Sequence, residues 1–284
     1  MKIAFVGLGV MGFPMAGHLA AKGHELCVFN RSPDKARRWA ETHKGRACTT
    51  IAEAASGVDA LVLCVGNDDD VRGVVAEALK VMKGGLIIDH TTTSARVARE
   101  MAELALGSGV AFLDAPVSGG QAGAENGQLT IMVGAAIDAY GRAVPILESY
   151  AKAVRRMGDP GAGQLTKMVN QIAIAGVVQG LAEGLHFAKR AGLDPMEVCE
   201  AISKGAAQSW QMDNRWKTMS EGKFDFGFAV DWMRKDLGLV LDEAASNGAR
   251  LDITRLVDGY YAEVQALGGR RWDTSSLVAR LEKP

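Results

Sequence analysis

Residues 3–12 decide the fold of this chain, and they read Ile3-Ala4-Phe5-Val6-Gly7-Leu8-Gly9-Val10-Met11-Gly12. The apolar start suits a buried strand, and glycines in the spacing G-x-G-x-x-G follow it directly. A helix-length segment, Pro14 to Lys22, comes next, and a second apolar run ends at Phe29. Such a strand, glycine-rich turn and helix bind the pyrophosphate of a dinucleotide at the helix N-terminus. We therefore predict that residues 7–12 bind a dinucleotide cofactor, through Gly7, Leu8, Gly9, Val10, Met11 and Gly12.

Short apolar runs alternate with helix-length segments up to about residue 160, which is typical of parallel strands covered by helices on both faces. The predicted strands are Ile3–Val6, Leu26–Phe29, Leu61–Val65, Leu86–Asp89, Ala111–Asp114, Thr130–Val133 and Val154–Met157. After residues 158–163 the spacing is helical only, starting with one long helix from Gln164 to Ala191. We predict an α/β fold with a Rossmann dinucleotide-binding domain over residues 1–162. An all-α domain over residues 163–284, which includes the long interdomain helix, follows it.

The residues after the second predicted strand bear on the choice of cofactor. Asn30, Arg31 and Ser32 stand where an enzyme built for NAD carries Asp or Glu to bind the ribose hydroxyls. A carboxylate would repel a 2′-phosphate, whereas a guanidinium binds it through charge-assisted hydrogen bonds. We therefore expect these residues to bind NADP(H) in preference to NAD(H). The alternative is that Arg31 only caps a surface loop and that Asn30 bonds the hydroxyls of NAD.

The composition limits the remaining partners. Hydrophobic residues make up 48% and charged residues 23% of the 284 residues, with a net charge of -1. These values exclude a disordered chain and argue against nucleic-acid binding by bulk charge. The apolar runs are far shorter than the ~20 residues of a membrane helix, and Met1 and Lys2 lead straight into the first strand. We expect a cytoplasmic protein without nucleic-acid or membrane partners.

The four cysteines have no metal-ligand spacing. We therefore expect buried, reduced thiols and no metal site at Cys27, Cys48, Cys64 and Cys199.

Four blocks of the sequence resemble the β-hydroxyacid dehydrogenases, a family that includes 3-hydroxyisobutyrate dehydrogenase, tartronate semialdehyde reductase and glyoxylate or succinic semialdehyde reductases. The blocks span residues 7–16, 114–120, 161–171 and 235–239 and read GLGVMGFPMA, DAPVSGG, GAGQLTKMVNQ and KDLGL. The resemblance implies a Rossmann domain joined by a long helix to an all-helical domain. It also implies an NAD(P)-dependent oxidoreductase that acts on a small semialdehyde or its 3- or 4-hydroxy carboxylate.

The second and third blocks carry the predicted substrate site. Ser118, Gly119 and Gly120 follow the fifth predicted strand, where a hydroxyl and backbone N–H groups can form an anion nest. The resemblance assigns them to the substrate carboxylate. It assigns Lys167 the role of general acid/base, since the nicotinamide supplies only a hydride and another group must move the proton.

Two amides and four further cofactor contacts complete the predicted site. Asn170 and Gln171 come one turn after the lysine and can orient substrate oxygens. Many relatives carry Asn at the second position, so Gln171 either reshapes the pocket or faces solvent. The resemblance also implies four cofactor contacts, at Val65 and Gly66 at the end of the third predicted strand, at Thr92 after the fourth and at Lys235 in the last block. Gly66 stands where many relatives have proline.

Several alternatives stay open. One is an NAD-dependent 3-hydroxyisobutyrate dehydrogenase proper. An imine reductase is disfavoured because those enzymes usually lack a lysine at the position of Lys167. A non-catalytic dinucleotide sensor would not need this lysine or the Ser118-Gly119-Gly120 segment. The apolar helical domain leads us to expect a homodimer or homotetramer.

Overall fold

The structure of the chain is a computed structural model that describes residues 1–282. The chain divides into two compact units, the first of residues 1–167 and the second from Met168 onward. The division falls inside one long helix, which starts at Ala162. The domain boundary predicted between residues 162 and 163 lies at the start of that helix, and it remains a prediction.

The first unit is built on one sheet. Its strands are β1 (Lys2–Val6), β2 (Glu25–Phe29), β3 (Arg46–Ala47), β4 (Ala60–Leu63), β5 (Leu86–Asp89), β6 (Ala111–Asp114), β7 (Val117–Ser118), β8 (Leu129–Gly134) and β9 (Ala151–Gly158). The spatial order is β3-β2-β1-β4-β5-β6-β8-β7, and β9 pairs with β8. Strands β1 to β6 pair in parallel, whereas β8 is antiparallel to β6 and β7. The predicted α/β fold is confirmed.

Helices cover both faces of this sheet. They are α1 (Gly12–Ala21), α2 (Pro33–Thr42), α3 (Ile51–Ala55), α4 (Asp68–Leu79), α5 (Ala95–Gly107), α6 (Gly120–Glu125) and α7 (Ile137–Leu147). Successive residues of a strand point to opposite faces, so Ile3 packs into one core and Ala4 into the other. Helices α1, α2 and α7 fill the first core, and α3, α4 and α5 fill the second. Because both faces are dry, the central strands read as unbroken apolar runs.

Several strands differ from the sequence prediction, and β9 begins at Ala151, three residues before the predicted start at Val154. Strand β4 ends at Leu63, whereas the sequence predicted a strand as far as Val65. The N–H of Val65 instead donates to Oγ1 of Thr91 at 3.0 Å, so this residue has left the ladder. Strands β3 and β7 were not predicted, since runs of two residues show no alternation.

The carboxyl ends of β1 and β4 form the topological switch point of the sheet. Strand β1 lies between β2 and β4, so the chain runs outward in both directions from it. Ligands of open α/β sheets bind in the crevice that opens at this point. Beside this crevice, the start of α4 is joined to the start of α5 by Asp68, which accepts hydrogen bonds from N–H and Oγ–H of Ser94 at 2.9 and 2.6 Å.

The regular elements described in the second unit are helices. They comprise the remainder of α8 (Ala162–Arg190), then α9 (Pro195–Ile202), α10 (Trp210–Ser220), α11 (Val230–Asn247), α12 (Asp252–Ala266) and α13 (Leu277–Leu281), with short 3-10 turns at Gly269–Arg271 and Thr274–Ser276. Trp216 and Tyr261 are the largest side chains of their common core. Across residues 1–282, each helix is too short or too polar to cross a bilayer.

A buried carboxylate organises the segment before α11. Asp273 accepts hydrogen bonds from the N–H of Phe228 at 2.9 Å and from Oγ of Ser275 at 2.6 Å. Nε of Arg215 donates to the same carboxylate at 3.1 Å. The start of α11, the helix that carries Lys235, is thereby fixed within the second unit.

Candidate active site

The loop between β1 and α1 contains three glycines, and only one of them has space for a Cβ atom. Gly7 has a φ of +96°, and a Cβ there would overlap the carbonyl oxygen of Cys64. A Cβ on Gly12 would overlap the carbonyl oxygen of Gly7. A Cβ on Gly9 would meet nothing within 4 Å. The loop therefore leaves open space at Gly9, beside the N-terminus of α1, and this cradle fits a pyrophosphate.

Asn30 braces this loop from the end of β2. Its Oδ1 accepts a hydrogen bond from the N–H of Leu8 at 2.9 Å. Its Nδ2 donates to the carbonyl oxygen of Ser32 at 3.1 Å. Both ends of the amide are engaged by the protein, so this side chain shapes the loop.

Arg31 and Ser32 lie at the carboxyl end of β2. The Arg31 side chain is 91% exposed, and its Nη1 lies 3.6 Å from Oδ1 of Asp70. The other oxygen of Asp70 accepts a hydrogen bond from the N–H of Gly66 at 3.2 Å. Ser32 directly precedes α2, and its side chain makes no capping hydrogen bond. A guanidinium and a helix N-terminus therefore lie side by side here, which suits an anionic group.

The remaining first-unit cofactor residues lie on the same edge of the sheet. Val65 and Gly66 follow β4, and half-buried Thr92 follows β5. The structure thus brings the predicted cofactor residues of the first unit to the carboxyl ends of β1, β2, β4 and β5. Their contacts with a cofactor remain a prediction.

The Ser118-Gly119-Gly120 segment follows β6 by a short connection. Ser118 ends β7 and pairs with Thr130 of β8. Gly119 and Gly120 have φ values of +129° and +60° and lead into α6. Ser118 is half-buried and both glycines are exposed. Solvent therefore reaches part of Ser118 and most of the two glycines.

Lys167 lies on α8 and is buried, with 8% of its surface exposed. It is the last residue of the first unit. A buried ammonium on this helix differs from the solvated lysines that most helices carry.

Asp114 and Gln164 fix the start of α8, and neither was predicted to be a site residue. Asp114 accepts hydrogen bonds from the N–H groups of Gly161 and Gln164 at 2.7 and 2.9 Å. Burial raises the pKa of Asp114 to about 6, and the N–H donors oppose that rise. A polar residue at the carboxyl end of a central strand was the available signal, because such ends face ligand sites.

The second unit gathers the other predicted residues into one hydrogen-bonded group. Nδ2 of Asn170 donates to Oε1 of Gln171 at 2.9 Å, and Nε2 of Gln171 donates to Oδ2 of Asp236 at 2.7 Å. Nζ of Lys235 lies 3.2 Å from Oδ1 of Asp236 and 5.9 Å from the ring of Trp232. The alternative that Gln171 faces solvent is wrong, because this residue is only 2% exposed.

His90 is a buried structural residue. Its Nδ1–H donates to the carbonyl oxygen of Ala115 at 2.6 Å, and its Nε2 accepts from the hydroxyl of Tyr150 at 2.8 Å. Burial lowers the pKa of His90 to about 4, and burial also raises the pKa of Tyr150. The imidazole is therefore neutral at pH 7 and anchors Ala115, the residue after Asp114.

Cysteines and metal ligands play no visible part in the site. Cys48 is buried and the other three cysteines are half-buried, so the expectation of buried thiols is wrong for those three. Within the described 282 residues, no group of three or more His, Cys, Asp or Glu is arranged to hold a metal ion.

Two family models cover most of the chain. Residues 2–158 match the NAD binding domain of 6-phosphogluconate dehydrogenase. Residues 161–281 match the model described as NAD-binding of NADP-dependent 3-hydroxyisobutyrate dehydrogenase.

Individual proteins match over the full length. An uncharacterized oxidoreductase of Shewanella frigidimarina is 59% identical, over 99% of this chain and 98% of the relative. The 2-hydroxy-3-oxopropionate reductase of Escherichia coli is 34% identical, over 99% of this chain and 97% of the relative. The structure of 3-hydroxyisobutyrate dehydrogenase from Mycobacterium tuberculosis with L-serine is 31% identical, has a TM-score of 0.90 and covers 99% of both chains.

Proposed function

Because this chain belongs to the β-hydroxyacid dehydrogenase family, we propose that it transfers hydride between NADP(H) and a small semialdehyde or its 3- or 4-hydroxy carboxylate. The family membership establishes an oxidoreductase that binds a nicotinamide dinucleotide and acts on CH–OH donors. The proposal adds the preference for NADP(H), the class of substrate and a proton-transfer role for Lys167.

The observation that carries the proposal is the placement of buried Lys167. Its helix starts against the carboxyl end of β6, where Asp114 binds the first N–H groups of α8. The same strand leads through Ala115 and Pro116 into Ser118. Lys167 and the candidate anion nest are thus both linked to the carboxyl end of β6, the lysine through the cap of α8 and the nest along the chain.

These residues would divide the chemistry as follows. The bound dinucleotide supplies or accepts the hydride. In reduction, the Lys167 ammonium donates a proton to the carbonyl oxygen as this becomes an alkoxide, and in oxidation the amine takes it back. The Ser118 hydroxyl and the N–H groups of Gly119 and Gly120 donate to the substrate carboxylate, which orients the carbonyl.

Three features support NADP(H). Arg31 presents an exposed guanidinium beside the start of α2, and the amide of Asn30 is engaged with Leu8 and Ser32. No carboxylate stands at residues 30–32 to repel a 2′-phosphate.

Assembly into a homodimer or homotetramer is part of the proposal. Large apolar side chains are exposed along the second unit, including Phe187 at 71%, Leu193 at 52% and Met196 at 46%. Apolar surface of this kind is typical of protein contacts. Light scattering of the purified chain would give the mass directly.

The test is a substrate panel with both cofactors. Glyoxylate and succinic, tartronic, methylmalonic and malonic semialdehydes are assayed with NADPH and with NADH, and butanal serves as an aldehyde of matched length without a carboxylate. At least one acid should exceed butanal by about 10²-fold in kcat/KM, because the carboxylate contact adds roughly 2.7 kcal/mol in the transition state. Ser118→Ala should reduce turnover of the acid more than that of butanal. Equal kcat/KM for butanal and succinic semialdehyde would contradict carboxylate recognition.

Lys167→Ala tests the proton transfer. We expect kcat to fall by about 10²–10⁴-fold, the usual worth of general acid/base catalysis, with NADPH binding retained. Lys217→Ala, at an exposed lysine of α10, is the matched control and should keep its kcat. Near-normal turnover by folded Lys167→Ala would reject the assignment.

A further inference from the structure

Asp114 caps a distant helix, since it binds the N–H of Gly161, 47 residues later in the chain and directly before α8. Its carboxylate is fully buried, and its two oxygens accept the N–H groups of Gly161 and Gln164, at the start of α8. The first N–H groups of a helix have no partner within the helix, and a negative charge there also interacts favourably with the helix dipole. The carboxylate therefore holds the first turn of α8 against the end of β6.

The cap comes from a distance because the adjacent residues cannot supply it. Pro160 and Gly161 precede α8, and neither has a side-chain hydrogen-bond acceptor. Asp114 takes the role that Ser, Thr, Asp or Asn usually has at the residue before a helix. Two glycines make room for it, since a Cβ on Gly134 or on Gly163 would overlap the carboxylate.

Gln164 ties the same turn to the loop after β5. Its Oε1 accepts from the N–H of Thr93 at 3.1 Å, and its Nε2 donates to the carbonyl oxygen of Thr91 at 2.7 Å. Oγ1 of Thr91 in turn accepts from the N–H of Val65 after β4. One buried network thus links the start of α8 to two of the loops predicted to hold the cofactor.

We propose that Asp114 is a positioning residue for Lys167 and acts through the backbone of the first turn of α8. Lys167 lies one turn after Gln164, so its Cα moves with the two N–H groups that Asp114 holds. The inference rests on the proposed proton transfer by Lys167. Asp114 itself contacts peptide N–H groups, and its removal should displace the lysine without altering the cofactor loop at Gly9.

Asp114→Asn is the first test. The amide keeps the shape but has one acceptor oxygen, and its NH2 group faces a peptide N–H. We expect kcat to fall by about 10- to 100-fold, because a shift of about 1 Å in a reacting group costs that much. KM for NADPH should change less than about threefold.

The matched control is Asp194→Ala, because Asn would still cap a helix here. Oδ1 of Asp194 accepts the N–H groups of Met196 and Glu197 at 2.7 and 3.0 Å, so this residue caps α9 of the second unit in the same manner. Loss of that cap should leave kcat unchanged. A kcat loss in both variants would show a general effect of weakened helices and would overturn the proposal.

A double variant separates positioning from structure. If Asp114 acts through the lysine, Asp114→Asn combined with Lys167→Ala should turn over at the rate of Lys167→Ala alone. A further loss of more than about tenfold, or a normal kcat in Asp114→Asn, would overturn the proposal. Normal turnover in Lys167→Ala alone would instead remove the proposed function, and that variant reports it independently.

A second variant covers the case in which Asp114→Asn does not fold. Gly134→Ala keeps the carboxylate and its charge, but the added methyl group displaces it from the N–H groups. Folded Gly134→Ala should show the same fall in kcat with little change in KM for NADPH. An unchanged kcat in this variant would overturn the proposal.

Discussion

Arg31 and Asp70 form an ion pair at the predicted ribose site, where NADPH carries a 2′-phosphate and NADH does not. The guanidinium is exposed, and its ion pair with Asp70 spans 3.6 Å. An exposed pair of this kind contributes only about 0–1 kcal/mol, so a 2′-phosphate can replace the carboxylate as the partner of Arg31. The proposed preference for NADPH then depends on a single charged side chain.

Arg31→Ala should therefore narrow the difference between NADPH and NADH. We expect the loss to be about 1.5–3 kcal/mol in kcat/KM for NADPH, the scale of a hydrogen bond to a charged group, with little change for NADH. Steady-state kinetics with both cofactors measure it.

Arg142→Ala is the control for Arg31→Ala. Arg142 lies beside Met1, Asp59 and Gly85, at the amino ends of the strands and therefore on the opposite edge of the sheet. Its removal should leave both cofactors unaffected. Equal or better kcat/KM with NADH in the unmutated protein would contradict the cofactor assignment.

Asp70→Asn tests the other half of the pair. Removing the carboxylate frees Arg31 and removes a charge that repels phosphate, so NADPH should bind a few-fold more tightly. The amide oxygen can still accept the N–H of Gly66, which keeps the loop after β4 in place. Titration of cofactor fluorescence gives both dissociation constants, and weaker binding of NADPH by this variant would contradict the expected competition.

At the scale of elements, two glycines in the turn between β1 and α1 have different roles. Gly12 allows close packing within the turn, and Gly9 leaves space for the predicted cofactor. Gly12→Ala should destabilise the first unit, because its Cβ would overlap the carbonyl oxygen of Gly7. The expected cost is about 1–3 kcal/mol, the range for overpacking. Gly9→Ala adds its methyl group to open space, so it should preserve stability and weaken cofactor binding. Thermal unfolding and cofactor titration of the two variants provide the comparison, and a loss of stability in Gly9→Ala would contradict it.

Sequence patterns predicted the elements whose chemistry is local. The glycine-rich turn, the central strands and the long helix each depend on neighbouring residues, so they could be recognised from composition and spacing. Strands β3 and β7 are too short to show a pattern. Their existence follows from pairing with β2 and β8, which is a long-range property.

In the candidate site, too, the residues that belong to local motifs could be predicted and those set by long-range contacts could not. Lys167 and Ser118 belong to contiguous motifs. The cap at Asp114 and the hydrogen bond from Gln164 to Thr91 join residues 47 and 73 positions apart, and no local pattern indicates which residues are joined. Gln171 was ambiguous for the same reason, since its burial depends on Asp236 of α11.

At the scale of the whole molecule, two buried groups give opposite contributions to the pH dependence of stability. The pKa of His90 is lowered from 6.5 to about 4 by burial, so between these values the unfolded chain binds a proton that the folded chain does not. Its contribution to stability therefore falls as the pH drops. The pKa of Asp114 is raised from 3.8 to about 6 by burial, so the folded chain holds a proton that the unfolded chain has lost. Its contribution rises as the pH drops.

In Asp114→Asn the free energy of unfolding should fall as the pH drops, because the contribution of His90 is then no longer offset by that of Asp114. Each group changes the free energy of unfolding by about 1.4 kcal/mol per pH unit within its window, and the two nearly cancel between pH 4 and 6 in the unmutated protein. From pH 6 to 4.5 the variant should lose about 2 kcal/mol relative to the unmutated protein. Urea unfolding across this range measures the difference. A difference that stays constant with pH would contradict the assignment.

The close approach of Gly134 and Gly163 to the carboxylate of Asp114 also limits how this chain can diverge. A single codon change from glycine to alanine at either position places a methyl group against the carboxylate, so selection should remove it while the aspartate is present. Replacement of Asp114 by a smaller residue would lift that barrier at Gly134, whereas at Gly163 the backbone carbonyl oxygens of Met132 and residue 114 would still exclude a methyl group. Across the lineage, Asp114 and Gly134 should therefore behave as one inherited character, retained together or lost together, while Gly163 should be retained in either case.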